Sequence, residues 1–296
     1  MEWINQLQEA VGFMEAHLLE DINYEDVARW VHMSGYSFHR TFSLMSGMTA
    51  NEYIRCRRLS LAAQELQQTD ISVIDAALKY GYETPESFSK AFSRFHGSTP
   101  RQAKSGGAPL RIFNPLVIRI TLEGGTAMDY RIVKEEKQAF LALVRSFPCS
   151  IINDDSDHSI PDFWGENETQ AMIGKLVQLR SKGRRDIYGL CSPKRDDDDT
   201  FRYGIGILVD GETDADGVEQ LLAQGCTLWE TEPAEYVVFK CMGNDGDCIS
   251  ETWAHFFREF LPGSGYDQTE LTDYEIYRDQ GEEGLFCELW IPVAKK

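Results

Sequence analysis

Apolar positions recur at helical spacing through the first hundred residues and shift to strand-like alternation beyond about residue 110. Trp3, Ile4, Leu7, Val11, Met14 and Leu18 trace one face of an amphipathic helix over 2–18. Asn23 reads as an N-cap, with Glu25 and Asp26 opening a second helix that runs to about Val31. A turn at His32-Met33-Ser34-Gly35 leads into a third helix that ends near Ser46-Gly47, where Gly47 suits the left-handed position after a helix. Tyr53, Ile54, Leu59, Ala62, Ala63 and Leu66 predict a long helix over about 50–67. Asp70 or Ser72 caps the next, which carries Val73, Ala76, Ala77 and Leu78. After Gly81-Tyr82-Glu83 a further helix covers about 84–95, with Pro85 in its first turn, where no N–H is needed.

Part of this pattern occurs twice. Ser37, Phe38, Arg40, Phe42, Gly47 and Thr49 return in kind fifty residues later as Ser87, Phe88, Lys90, Phe92, Gly97 and Thr99. Just upstream, Ala28 and His32 correspond to Ala77 and Gly81 at an offset of 49. Two helix-turn-helix units can enter two successive major grooves on one side of a duplex, so the repeat marks a candidate transcription regulator.

The stretch from Lys104 to Pro109 reads as a linker. Beyond it lie β-like runs at 117–121, 139–144, 203–209, 235–240 and 285–293, with helical patterns at about 167–181 and 249–260. The order strand–helix–strand–strand recurs over about 128–210 and 226–293. The expected architecture is multidomain: an all-α DNA-binding domain over 1–105, a linker at 106–109, and an α+β domain over 110–296 made of two βαββ halves.

Composition sharpens this reading. The net charge of −19 disfavours a DNA binder until it is located. Residues 1–105 hold 10 basic and 13 acidic side chains, leaving 19 basic and 35 acidic ones for the remainder. The acidity therefore sits in the second domain, where it can favour a cationic ligand or keep the protein soluble, while Arg40, Arg55, Arg57, Arg58, Lys90, Arg94, Arg101 and Lys104 can supply a local basic surface in the first. Seven scattered cysteines without a CxxC spacing argue against a disulfide framework and a structural zinc site. No metal and no cofactor is expected. No apolar run of membrane length and no basic, apolar leader is present, so a cytoplasmic protein is expected. Asp196–Asp199 reads as a solvated acidic loop.

Residues 5–104 resemble the DNA-binding domain of the AraC/XylS family of transcription activators. The likeness is carried by Ala28 to Phe42 with Gly47, by Glu52 to Leu59 with Ala62, by Ile74 to Phe92, and by Gly97-Ser98-Thr99-Pro100. It implies two helix-turn-helix units joined by the long central helix, with double-stranded DNA as partner. Phe38 and Phe42, like Phe88 and Phe92, share a helix face and read as core anchors. Tyr36, Ser37, His39 and Arg40 then project from the first recognition helix, and Glu86, Ser87, Ser89 and Lys90 from the second; by likeness to the family these read bases. Arg40 suits guanine, because its fork can bond O6 and N7 together. Glu86 suits a cytosine amine or simply charges its helix terminus. Arg55, Arg57 and Arg58 suit phosphates or an ordinary charged helix surface.

Residues 110–296 resemble the gyrase-inhibitor-like effector-binding domain. The matches are Ile160 to Trp164, Tyr203 to Ile207, Trp253 with Phe256-Phe257, Phe260 to Tyr266, Tyr274 to Tyr277, and Glu288 to Val293. The likeness implies a small-molecule pocket between the halves. In the last strand Leu285, Cys287, Leu289 and Ile291 share an apolar face that should pack on helices; Phe286, Glu288 and Trp290 share the other. A carboxylate between rings suits a cationic, apolar effector. Aligning the halves sets Gly204 opposite Glu288 and Gly206 opposite Trp290, as if to leave room there. Glu275 and Tyr277 share a strand face and add a second carboxylate and a hydroxyl, and Trp164 opens the first half's helix near the cleft. Trp229 and Trp253 read as core, and Glu288 can also be read as an ordinary exposed strand residue. The sequence thus points to a non-enzymatic, ligand-responsive regulator. Two other readings stay open: a hydrolase built on a buried Glu with a nearby Tyr, and a constitutive DNA binder whose second domain contacts RNA polymerase or another partner.

Overall fold

The structure of the chain is a computed structural model that describes residues 2–106, 108–118, 129–151, 157–179, 186–193 and 200–296. Seven helices come first: α1 Glu2–Ala16, α2 Tyr24–Trp30, α3 Gly35–Ser46, α4 Ala50–Gln68, α5 Val73–Lys79, α6 Pro85–His96 and α7 Pro100–Ser105. Two compact units result. One comprises residues 1–33 and 46–123; the other comprises 34–45, which is nearly all of α3, together with 124–296.

In the helical unit the repeat is visible as geometry. Met33 N–H donates to Ala28 O and Tyr82 N–H to Ala77 O, both at 2.9 Å. The corresponding turn residues His32 and Gly81 both take left-handed backbone, with φ of 57° and 81°. Only glycine does this at little cost, so His32 holds the turn against local strain. Gly47 and Gly97 also match, at 72° and 75°. Each precedes a threonine, Thr49 or Thr99, that forms a capping box with Glu52 or Gln102. The second box starts α7, a helix the sequence pattern did not single out. Leu59, Ala62, Leu66, Ala76, Ala77, Phe88, Phe92 and Ala103 make one buried cluster, which draws α4, α5, α6 and α7 together.

Residues 110–118, expected to begin the second domain, lie along this helical unit. Arg111 N–H donates to His96 Nδ1, Phe113 N–H to Ser60 Oγ, and Leu116 N–H to the Tyr53 hydroxyl. No strand forms at Val117 or Ile118, and the rest of the expected 117–121 run lies outside the described residues.

The second unit carries β1 Arg131–Glu135, β2 Ala139–Pro148, α8 Ser159–Gly165, α9 Asn167–Gln178, β3 Ile187–Pro193, β4 Thr200–Val209, α10 Ala215–Ala223, β5 Thr227–Glu230, β6 Ala234–Met242, α11 Asp247–His255, β7 Tyr266–Gln268, β8 Asp273–Tyr277 and β9 Leu285–Lys295. A π-helical turn, Phe256–Phe260, continues α11. Asp196–Asp199 lies outside the described residues.

One sheet runs β1-β6-β9-β8-β3-β4-β2-β5, with β7 beside β9. Each half supplies three neighbouring strands, β3-β4-β2 or β6-β9-β8, and each sends its leading strand to the other half's edge. The halves meet in the middle, where β3 pairs antiparallel with β8. One sheet face carries the helices: Leu141 and Ile207 pack on Leu176 of α9 and Leu221 of α10, and Phe239 packs on Phe256 and Phe260. The other face is an aromatic core of Phe140, Tyr188, Trp229, Tyr236, Tyr274 and Trp290.

Candidate effector site and groove-reading helices

Strand register decides which acids meet. Glu275 pairs with Gly189 on one side and Leu289 on the other, so it lies on the helix-bearing face between the two helix groups. Cys191 pairs with Tyr203, which brings the Tyr203 ring to the same place. Tyr203 OH donates to Glu275 Oε2 at 2.8 Å, and Tyr277 OH donates to the same oxygen at 3.0 Å. Trp164 Nε1 donates to the Tyr203 hydroxyl at 3.1 Å, and its ring meets Tyr277 edge-on at 5.1 Å. Gly189 makes this possible, because a Cβ there would collide with Glu275 Oε2 and the Tyr203 hydroxyl. Burial pushes the Glu275 carboxyl up to about 7 despite the two tyrosine hydrogen bonds. Burial likewise lifts Asp273, two residues away on the same face, to about 6, against the opposing pull of Arg40.

Of the six residues expected at the pocket, Trp164, Glu275 and Tyr277 come together, and Phe286 reaches Tyr277 edge-on at 5.7 Å. Glu288 and Trp290 do not join them. Trp290 stacks on Tyr274 in the aromatic core on the opposite face. Glu288 is consumed by ion pairs: Arg131 Nη2 reaches Oε1 at 2.7 Å and Arg278 Nη2 reaches Oε2 at 2.5 Å, while Trp290 Nε1 adds a third donor. Burial would raise its carboxyl, but these arginines hold it below the usual range. The expected pairing of Glu288 with a cationic ligand is therefore corrected to a structural one. The glycines expected to open room have other neighbours: Gly204 faces Trp229, and Gly206 faces Ala142 and the Leu141 carbonyl. Alternation along a strand separates two faces but does not say which face the helices cover. Tyr203 and Gly189 escaped the sequence reading, since only cross-strand register brings them to Glu275.

An open groove of about 600 Å³ lies elsewhere, lined by Tyr130, Arg131, Lys240, Met242, His255 and Glu282 among others. Its charged groups are largely satisfied by one another or by neighbours, as in Lys240–Glu282 and His255–Glu259.

On the second recognition helix, α6, Phe88 and Phe92 are fully buried while Glu86, Ser87 and Lys90 are exposed and Ser89 is half-exposed. That face is exposed to solvent. Arg94 and Arg101 extend it with exposed charge. Lys104 instead bonds the carbonyls of Asp70 and Ile71. Arg57 and Arg58 also turn out to be structural. Arg57 grips Glu15 with two nitrogens, at 2.8 and 2.9 Å, and Arg58 binds the carbonyls of Leu18 and Glu20.

The first recognition helix differs. Tyr36, Ser37 and His39 were expected at the surface and are 3%, 8% and 2% exposed. Within the second unit, Tyr36 OH meets Cys191 Sγ at 2.9 Å and its ring lies on Phe201. The Arg40 guanidinium sits over Trp253 at 4.1 Å and donates to Asp273 Oδ2 at 3.4 Å. The expected outward projection is thus replaced, in this conformation, by burial beside the Glu275 site.

Residues 131–293, over half the chain, match the family model of the integron-associated effector binding protein, and 27–105 match a helix-turn-helix domain model. The activator AarP of Providencia stuartii is 34% identical over 38% of this chain and 84% of its own length. The chain belongs to the AraC-type transcriptional regulators. Its second domain belongs to the integron-associated, gyrase-inhibitor-like effector-binding family. The Right origin-binding protein of Escherichia coli K12 is similar to the regulator over the whole of both chains, at 24% identity. The structure of SAV2435 bound to tetraphenylphosphonium resembles it over 56% of this chain and 94% of that one, with 18% identity and a TM-score of 0.44. The regulator is thus a DNA-binding transcription regulator fused to a domain of effector-binding type. Among the described residues, no helix is long and apolar enough to cross a membrane.

Proposed function

We propose that the regulator senses a small apolar cation, held by Glu275 with Trp164, Tyr203 and Tyr277 around it. The observation that carries this reading is the Glu275 carboxylate itself. It is desolvated, fixed by two hydroxyls on one oxygen, and walled by aromatic rings. Such a group is costly to ionise alone and gains most from a cation that tolerates an apolar site. Lys90, Ser87, Ser89 and Glu86 on α6 read bases or phosphates in the DNA complex, as do Tyr36, Ser37, His39 and Arg40 once α3 is exposed. Titration of the full chain with tetraphenylphosphonium, followed by tryptophan fluorescence and calorimetry, tests the sensor. Saturable binding that Glu275→Gln weakens is expected; binding insensitive to that change removes Glu275 from the site.

A carboxyl near neutrality beside two tyrosines also has the properties of a general base, which favours a second reading, hydrolysis of a small ester or amide. Turnover of p-nitrophenyl acetate that Glu275→Gln abolishes would support it. A flat progress curve leaves sensing as the role.

A further inference from the structure

Arg40 places a cation in the acidic region where the proposed effector would bind. We infer that α3 is an internal competitor of the effector: docked, it withholds the first recognition helix from DNA, and an arriving cation releases it. The inference rests on the sensing role for its ligand arm, but the docking arm stands apart from it.

Four contacts within the second unit fasten the helix. Ser34 N–H donates to Glu270 Oε1 at 2.7 Å, Tyr36 meets Cys191 and Phe201, Arg40 pairs with Asp273 over Trp253, and Arg258 Nη2 donates to the Leu44 carbonyl at 3.0 Å. Both charged members of the central pair are nearly sealed from water, with side-chain exposures of 13% for Arg40 and 8% for Asp273. The site thus supplies what a lipophilic cation would seek: a ring face, a carboxylate and low polarity. Arg40 also lies within the electrostatic reach of Glu275, so the two cations would compete for one negative region.

The helix is nevertheless not made for permanent burial. Thr41 Oγ1 and Ser43 Oγ are buried with no hydrogen-bond partner among the described residues, a state that proteins avoid. Its polar side chains suit a wet, phosphate-rich surface, and none of Ser37, His39 and Arg40 can reach a base edge while α3 is docked. Docked and DNA-bound forms of α3 therefore exclude one another. A ligand that binds only the undocked form shifts the population toward DNA binding.

The test uses the full chain and hydrogen exchange of the amides in 34–45. Arg40→Ala is unsuitable, since it removes a base-reading group as well as the docking group. Asp273→Asn and Arg258→Ala each loosen docking from the far side, and Arg258 is exposed, so that variant should keep its fold. In the absence of ligand, exchange in 34–45 should rise about tenfold in either variant, and a duplex selected from random sequence by the wild-type protein should bind several-fold more tightly. Tetraphenylphosphonium should produce the same two changes in the wild-type chain. Unprotected 34–45 amides in the ligand-free wild type, or protection that neither variant lowers, would overturn the docking. Tetraphenylphosphonium that binds but leaves 34–45 protected would overturn the competition. If the cation does not bind while both variants free α3, the sensing role fails and the docking stands.

Discussion

Replacing Glu275 by Gln removes one charge and little else. Both tyrosine hydrogen bonds fall on Oε2, so an amide oxygen placed there keeps both, with the amino group where Oε1 was. A monovalent cation about 5 Å from the carboxylate, at an effective dielectric of about 20, gains about 3 kcal/mol, or about 200-fold in Kd. Part of that gain is spent on ionising a carboxyl lifted to about 7. The ionisation costs about 0.4 kcal/mol at pH 7, about 1.4 at pH 6 and under about 0.1 at pH 8. Wild-type affinity for tetraphenylphosphonium should therefore rise about tenfold from pH 6 to pH 8, while the Gln variant stays near-flat and about 200-fold weaker at the upper end. Asp273 (about 6), Arg40, Cys191 and the two tyrosines face the same region; Asp273 titrates in this window and survives in the variant, so any residual slope reports it. Stability provides the control. A carboxyl raised on folding holds its proton more firmly in the native state, so its contribution is lost as pH rises from its unfolded value through about 7. The Gln variant should accordingly melt no lower than wild type at pH 8. Calorimetric titration at the three pH values decides the matter. A Gln variant that binds within threefold of wild type, or a wild type without a pH slope, refutes the charge-pairing argument.

Glu288→Gln should behave in the opposite way, lowering Tm by about 5 °C by leaving Arg131 and Arg278 under-compensated, with the ratio of cation affinities unchanged. Because Glu288 is held below its usual pKa, its stabilisation is present above the unfolded value and lost as pH falls through the folded one, so the variant should also show a shallower acid limb in melting scans. Gly189→Ala pushes a Cβ into Glu275 and Tyr203; cation binding should weaken at least about tenfold, with a stability loss of about 1–3 kcal/mol by chemical denaturation. Lys90→Ala on the exposed face of α6 should weaken duplex binding by about 1 kcal/mol and reduce the salt slope by about one ion, read by fluorescence anisotropy across a salt series.

What the chain determines by itself is the local part. Asn23, Thr49, Thr84 and Thr99 cap the helices they precede because their partners lie two or three residues away, and the repeat is legible because each of its turns closes within a few residues. Strand alternation likewise sorts Leu285, Cys287, Leu289 and Ile291 onto one face. Tertiary structure decided everything that depends on a distant partner. Glu275 came to lie against the Tyr203 and Tyr277 hydroxyls, and Glu288 on the opposite face, through the register of β8 against β3 and β9, which a one-residue slip would invert. Arg57 and Arg58 were withdrawn from the DNA-facing set by Glu15 and by carbonyls about forty residues away. The docking of α3 was equally invisible, because the surface that suits a phosphate-lined groove is polar and cationic whether it meets DNA or an acidic receptor.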